Sequence, residues 1–450
     1  METNKIFAMI LLIPALYAVT PCAAQTQQNG DKACKMLDHI ADNVISGRTP
    51  KPITRKVVSP SDMSGDLMFS KQSDLTNDFV ERYLSRAISH FLRMNALPRA
   101  NEFFRNTGTK YIHWSFLHWG GQPTDEQFLA MAKEIDDVHS TDWGKDVVFE
   151  AGVMEIISRG STDNTRIPDW LYQSMEELGI TKNRKPGPNG PRYFCYENMF
   201  DRAVWPKDYI GIWGKSPEDD CATTVPDITM TETQLWYAYL MAEFIDSGCE
   251  GIFFGQIGLT GRRERTKGWE CAHALTEFAK RYASSRAYRH AIFLSSHHWQ
   301  VDYKGKPIYT HLTWPSRLFY NDKFRHGMIS GLDAPEDGQH KCKKEFIRLL
   351  NAPADLPILI EIDNYGNVGK GNQIAADSEG NDEITAYSLK PFWARAAFLR
   401  QYYFEFQTYK NAAGKCRMHL APSGWREPYI PYSEANGDEY TIKALFKTAK

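Results

Sequence analysis

The sequence has no long block of like charge, no excess of basic residues and, after its N-terminal segment, no apolar run long enough to cross a membrane. Lysine and arginine number 53 against 55 aspartates and glutamates, so the formal net charge is −2. Proteins that bind nucleic acid usually carry a basic face, and interaction tails show as charge runs. The composition therefore argues against nucleic acid or a membrane as a partner, and it leaves the oligomeric state open.

Several catalytic signatures are also missing. No GxGxxG or phosphate-binding loop follows any predicted strand, which argues against a dinucleotide or nucleotide cofactor. The GxSxG turn of serine hydrolases does not occur. The eight cysteines include no CxxC pair and so provide no zinc knuckle. We predict neither a cofactor nor a resident metal.

The N-terminus has the pattern of a secretory signal. A basic residue precedes the apolar stretch 6–19, and small residues follow it up to Ala24. The stretch is too short to span a bilayer. Pro21 makes Cys22 a poor lipoprotein anchor. We therefore predict a signal peptide at residues 1–24 and a secreted or periplasmic protein.

Short apolar, β-branched runs recur along the chain, and they end abruptly in polar side chains. The clearest is 357–364 (PILIEIDN), and the same pattern occurs at 147–150 (VVFE), 252–256 (IFFGQ) and 291–298 (AIFLSSHH). Strands buried on both faces in a parallel sheet have this appearance.

Strand and helix patterns alternate from residue 109 to residue 450. Thr124 followed by Gln127, for example, predicts a capping box that opens a helix over 124–138. The predicted strands are residues 111–119, 146–152, 208–213 (with 192–196 as a rival), 251–256, 290–296, 326–332, 356–362 and 416–420.

Eight strand–helix units predict an α/β fold, a (β/α)8 TIM barrel over residues 109–450. An open doubly wound sheet is the alternative. Residues 25–108 would form an N-terminal helical extension, with one helix over 78–105 that packs on the barrel.

Carboxylates at strand ends are the strongest functional signal, because in such barrels these ends face the ligand. Hydrolysis of a glycosidic bond needs two carboxyl groups. We predict that Glu361 is the base or nucleophile and that Glu150 is the proton donor, with Glu155 or Glu197 as substitutes. The aromatic content of 13% suits sugar stacking. Predicted substrate-binding residues are His118, Trp119, Gln256, His297, His298, Asp363 and Trp425.

An exported, aromatic-rich barrel with a glutamate ending its seventh strand resembles the glycoside hydrolases of the β/α-barrel type. In their largest clan the nucleophile and the acid/base follow strands seven and four. Glu361 matches the first position, whereas the fourth predicted strand ends in Gly255-Gln256, without a carboxylate. The resemblance implies a poly- or oligosaccharide substrate. Glu150 and Glu361, three strands apart, favour the inverting spacing of about 6.5–9.5 Å.

Two alternatives stay open. A metal-dependent barrel hydrolase, similar to the amidohydrolases, would use histidines and aspartates as ligands. A non-catalytic glycan-binding barrel would explain why Gln256 stands where the clan has an acid. The candidate metal ligands are His113, His118, His297, His298, Asp333 and Asp363.

Overall fold

Short parallel strands form the centre of the structure and give it an α/β fold. A computed structural model describes residues 23–49, 51, 67–89, 97–118, 120–121, 123–211, 223–265, 268–297, 301–315, 318–320, 328–330, 356–362, 387, 390–408, 417–422 and 437–449. The parallel strands are β1 (Ala87–Ser89), β2 (Tyr111–His118), β3 (Val148–Val153), β4 (Gly251–Phe253), β5 (Phe293–Ser295), β6 (Leu312–Pro315), β7 (Ile358–Glu361) and β8 (Met418–Ala421).

The parallel strands pair in chain order. A five-stranded sheet runs from β1 to β5, and a three-stranded sheet runs from β6 to β8. Between the two sheets, Thr313 N donates a hydrogen bond to Ser296 O at 3.2 Å. At the other side, β1 lies beside β8. Short antiparallel pairs join Ile157–Ser158 to Thr223–Thr224, Asp302–Tyr303 to Lys306–Pro307, and Leu318–Tyr320 to Met328–Ser330.

Helices connect the parallel strands. Within the described ranges they are α1 (Ala23–Ile45), α2 (Asn77–Leu84), α3 (Leu97–Thr107), α4 (Asp125–His139), α5 (Arg159–Asn164), α6 (Asp169–Glu177), α7 (Ile180–Asn183), α8 (Thr231–Asp246), α9 (Ile257–Thr260), α10 (Glu270–Arg286), α11 (Phe392–Thr408) and α12 (Asp438–Phe446). The capping box predicted for α4 is confirmed, since Thr124 and Gln127 exchange side-chain to backbone hydrogen bonds. Across this part of the chain, no helix combines the length and the hydropathy that a membrane span requires.

Three predicted elements are wrong. Neither the described residues 208–211 nor the rival 192–196 form a parallel strand, because β3 pairs directly with β4 and Pro206 leads into a 3₁₀ turn. The predicted sixth strand at 326–332 contains an antiparallel strand, and the sixth parallel strand is β6. The predicted helix over 78–105 is divided, since α2 and α3 flank β1, which joins the main sheet from within the predicted extension.

One buried cluster includes residues from strands of both sheets. Its members on the strands are Ala87, Tyr111, Val148, Phe293, Leu359 and Ala421. Side chains two residues apart share a strand face. The shared core therefore places His113, Glu150 and Glu361 on the same face, one layer nearer the carboxyl ends of their strands.

A buried ion pair lies below this core, at the amino ends of the strands. Arg289 is 0% exposed, and its Nε donates to Glu250 Oε2 at 2.8 Å. The guanidinium also donates to Val147 O at 3.1 Å and to Tyr83 OH at 3.2 Å. It stacks on the Phe69 ring, 4.4 Å from the centroid. Arg289 thus joins elements that are distant in sequence.

Substituting Arg289 tests this anchor. Arg289→Met leaves Glu250 as an uncompensated buried charge, and we expect the free energy of unfolding to fall by about 3–5 kcal/mol. The matched control is Arg281→Met, which removes an exposed pair with Asp38 and is expected to cost at most about 1 kcal/mol. Urea denaturation measures both, and equal losses would contradict the anchor.

Candidate active site

His113 lies between two carboxylates at the centre of the sheet core. Its Nε2 bonds to Glu361 Oε2 at 2.7 Å, and its Nδ1 bonds to Glu150 Oε2. Glu150 also accepts a hydrogen bond from Ser295 Oγ at 2.5 Å. His113 and Glu150 are fully buried, and Glu361 is 1% exposed. Four residues from β2, β3, β5 and β7 thus form one continuous polar network.

The charges of this network follow from its contacts. Burial by itself lowers the pKa of His113, but Glu150 and Glu361 outweigh it and raise that pKa from 6.5 to about 9. Burial opposes ionisation of Glu361, yet His113 and His297 lower its pKa to about 2. The pKa of Glu150 is lowered against burial, mainly by His113. At neutral pH the network is a buried imidazolium between two carboxylates.

His297 forms the outer edge of the network. Its Nε2 bonds to Glu361 Oε1, and its side chain is 12% exposed, against 1% for Glu361. The backbone N of His297 donates to Gly255 O at 3.0 Å, which ties the segment after β5 to the segment after β4. Of the two residues, His297 is therefore the one nearer to solvent.

A β-bulge brings an aromatic ring to the same place. The pairing register of β2 with β3 shifts between Ile112 and Phe116, and Trp114 has a φ of 58°. The Trp114 ring lies 5.7 Å from Phe253 and 6.4 Å from His297, between centroids. Its Nε1 is buried without a hydrogen-bond partner in the described part of the chain. Bulges often redirect side chains beside active sites.

Another carboxylate lies after the neighbouring strands. Glu155 follows β3, is 3% exposed and accepts hydrogen bonds from Gln256 N at 3.1 Å and Gln256 Nε2 at 3.2 Å. Gln256 itself is exposed. The end of β4 thus carries a carboxylate supplied by the segment after β3.

The structure brings together four of the residues predicted from sequence, namely Glu361, Glu150, His297 and Gln256 with its partner Glu155. It places Glu197 elsewhere, in ion pairs with Arg159 and Arg202. The remaining predicted residues have side chains outside the described part of the chain: His118, Trp119, His298, Asp363 and Trp425.

The positions of His113 and Trp114 in the site are not evident from the sequence. His113 was considered only as a metal ligand, although a histidine two residues after Tyr111 in an apolar strand must share its buried face. In the described part of the chain no group of His, Cys, Asp or Glu is arranged to hold a metal ion. Since Asp333 also lies outside that part, the metal-dependent alternative stays a hypothesis.

Comparisons with known proteins give remote similarity. No family model and no curated protein matches the sequence. Solved structures similar to this chain include glycoside hydrolases. The glycoside hydrolase domain of PelA from Pseudomonas aeruginosa is 12% identical, with 66% of this chain and 92% of that chain covered and a TM-score of 0.29.

Two other solved structures cover more of the chain. A GH113 beta-1,4-mannanase is 11% identical, over 81% of this chain and 98% of that chain, with a TM-score of 0.37. The Nostoc punctiforme debranching enzyme is 11% identical, with 83% of this chain and 80% of that chain covered and a TM-score of 0.39. Scores this low leave the activity to be inferred from the chain's own residues.

The ionisation of His113 can be measured directly. We expect ¹⁵N NMR of the imidazole rings at pH 7 to show His113 doubly protonated, with a midpoint near pH 9. His419 is the internal control, because burial lowers its pKa to about 3 and keeps it neutral. Because the pKa of His113 is raised on folding, its protonation stabilises the folded state. This stabilisation is fully present below pH 6.5 and is lost as the pH rises through about 9. Neutral His113 at pH 7 would contradict the assigned charges.

Proposed function

We propose that this protein is a secreted glycoside hydrolase that cleaves a poly- or oligosaccharide at the carboxyl ends of the strands of a (β/α)8 barrel. The observation that carries the proposal is Glu361, a carboxylate at the end of β7 that two histidines keep ionised. The substrate-facing end is where barrel enzymes place their reacting groups.

The two parallel sheets support a single barrel. They follow each other in chain order, Thr313 hydrogen-bonds to Ser296 across one boundary, and β1 lies beside β8 at the other. Strands of both sheets also share one buried cluster. A closed cylinder accounts for these neighbours, because its inward-facing side chains meet at the axis.

Glu361 suits the role of nucleophile. A nucleophile must be ionised, and a pKa of about 2 ensures this across the physiological range. A general base works best when its pKa is close to the working pH, so the same value makes Glu361 a poor base. The covalent, configuration-retaining route of glycoside hydrolysis therefore fits this carboxylate.

Glu150 suits a supporting role. It is 0% exposed, its pKa is lowered, and the His113 ring separates it from Glu361. A proton donor needs the opposite, a carboxyl that carries its proton at neutral pH. We propose that Glu150 holds His113 protonated and in position, so that His113 in turn orients Glu361. The inverting prediction rested on the strand separation of Glu150 and Glu361, and the His113 ring lies between these two carboxylates.

The surroundings of Glu361 suit a sugar. The Trp114 ring provides a flat apolar surface, and its buried indole N–H lacks an acceptor within the described ranges. His297 and the exposed Gln256 add hydrogen-bonding groups at the same edge. The remaining proposed subsite residues follow the ends of other strands: His118, Trp119, His298, Asp363 and Trp425.

Secretion remains a proposal based on the signal pattern at residues 1–24. The same holds for the division into an extension at 25–108 and a catalytic barrel at 109–450, with β1 now assigned to the sheet. Export would place the enzyme where polymeric glycans are found outside the cell.

A glycan panel with matched variants tests the function. We expect Glu361→Gln to lower kcat by at least about 1,000-fold, because the nucleophile is removed. Glu150→Gln should lower kcat by about 10- to 100-fold and lower the pKa of His113 measured by ¹⁵N NMR, since His113 loses one carboxylate partner. Glu197→Gln, a glutamate paired at the surface, is the control and should keep wild-type activity.

The stereochemistry of the product is a separate test. We expect ¹H NMR of the first product to show retention of anomeric configuration. Inversion would remove Glu361 as the nucleophile. If no glycan is cleaved by the wild type, or if Glu361→Gln keeps full activity, the proposed function is wrong.

A further inference from the structure

No carboxylate directly follows the fourth strand, β4, in the sequence. In the structure, however, a carboxylate from another segment lies at the end of this strand. We propose that Glu155 is the proton donor and, in the second step, the base of the glycosidase. This inference rests on the proposed function and identifies the group that Glu361 requires as its partner. Glu155 belongs to the segment after β3, but its side chain reaches the backbone that follows β4.

Gly255 and Gln256 are built around this carboxylate. Gln256 donates from its backbone N and from its side-chain Nε2, at 3.1 and 3.2 Å, to the two oxygens of Glu155. Gly255 has a φ of 53°, and a Cβ at this position would overlap with Glu155 Oε2. A Cβ there would force the carboxylate to move, and the positive φ also favours glycine. The position of the Glu155 carboxylate therefore accounts both for the glycine at position 255 and for the lack of an acid directly after the fourth strand.

The same backbone links Glu155 to Glu361. Gly255 O accepts hydrogen bonds from His297 N and from Ser296 Oγ, each at 3.0 Å. The ring of His297 then bonds to Glu361. Gly255 therefore lies between the two residues, with the Glu155 carboxylate against its Cα and the backbone N of His297 bonded to its carbonyl oxygen.

The two carboxylates have different hydrogen-bond partners. Glu361 faces two histidines, whereas no Lys, Arg or His of the described residues forms an ion pair with Glu155. Its neighbours are the amide groups of Gln256, the phenol of Tyr237 and the apolar side chains that flank it, Met154 and Ile156. In the described structure both oxygens of Glu155 are therefore held by neutral amide groups and not by a cationic side chain.

The proposed chemistry balances in two steps. A Glu361 oxygen bonds to the anomeric carbon while the glycosidic C–O bond breaks, and the proton of Glu155 passes to the leaving oxygen, which departs as an alcohol. Ionised Glu155 then takes a proton from water, the water oxygen bonds to the anomeric carbon, and Glu361 is released as a carboxylate. Both residues return to their starting states.

Leaving-group dependence separates a proton donor from a structural residue. The probes are 2,4-dinitrophenyl glycosides, whose leaving group needs no proton, and the oligosaccharide with the same glycosyl residue. For Glu155→Gln we expect kcat/KM to fall by about 10²–10⁴-fold on the oligosaccharide and to change little on the dinitrophenyl glycoside. Azide should restore turnover and yield a glycosyl azide. Glu361→Gln should lose activity on both substrates.

A second variant avoids removing Glu155. Gln256→Glu places a carboxylate beside it, and like charge raises the pKa of a neighbouring carboxyl. The variant keeps Tyr237 and His297, two other titratable side chains near the site. The basic limb of its kcat/KM profile should move to higher pH, while its melting temperature stays near the wild-type value. An unmoved profile would overturn the assignment.

The outcomes distinguish the two proposals. If the wild type cleaves no substrate, the proposed function fails and the role of Glu155 fails with it. If the wild type is active but Glu155→Gln keeps full activity, only the proton-donor assignment fails. Equal losses on both substrates without rescue by azide would make Glu155 a structural residue and overturn the inference.

Discussion

A protonated histidine held between two buried carboxylates is the interaction on which this structure depends. Burying three ionisable groups is costly unless each one is paired, and here every charge has its partner in the same network. His113 comes from β2, Glu150 from β3 and Glu361 from β7, so the network also joins the five-stranded sheet to the three-stranded one. The electrostatics that keep Glu361 ionised and the packing that brings the sheets together are therefore one arrangement.

The three-dimensional contacts of a carboxylate determine its position in a site more than its order along the chain does. Glu155 reaches the end of β4 because Gly255 leaves room for it and Gln256 provides two donors. A pattern search that expects the acid directly after the fourth strand finds glycine and glutamine instead. The carboxylate at the end of β4 comes from the segment after β3, which such a search does not examine.

The sequence predicted the kind of fold and the two carboxylates of the central network, because apolar runs that end in glutamate are a strong local signal. It missed β1, since Ala87 and Ile88 continue an apolar spacing that also fits a helix. Glu150 was taken for a strand end but lies in the third position of the six-residue β3, which explains its depth. Pairing across a sheet core, as between His113 and Glu361, is long-range geometry that local patterns do not contain.

The bulge at Trp114 has a consequence for how the protein tolerates change. A tryptophan with a φ of 58° is held in a conformation that glycine adopts freely, at a cost of about 1–3 kcal/mol for other residues. Replacing it with glycine would relax the backbone and remove the ring beside His297. At position 114, selection for stability alone would favour glycine, whereas selection for an aromatic ring beside His297 would favour tryptophan.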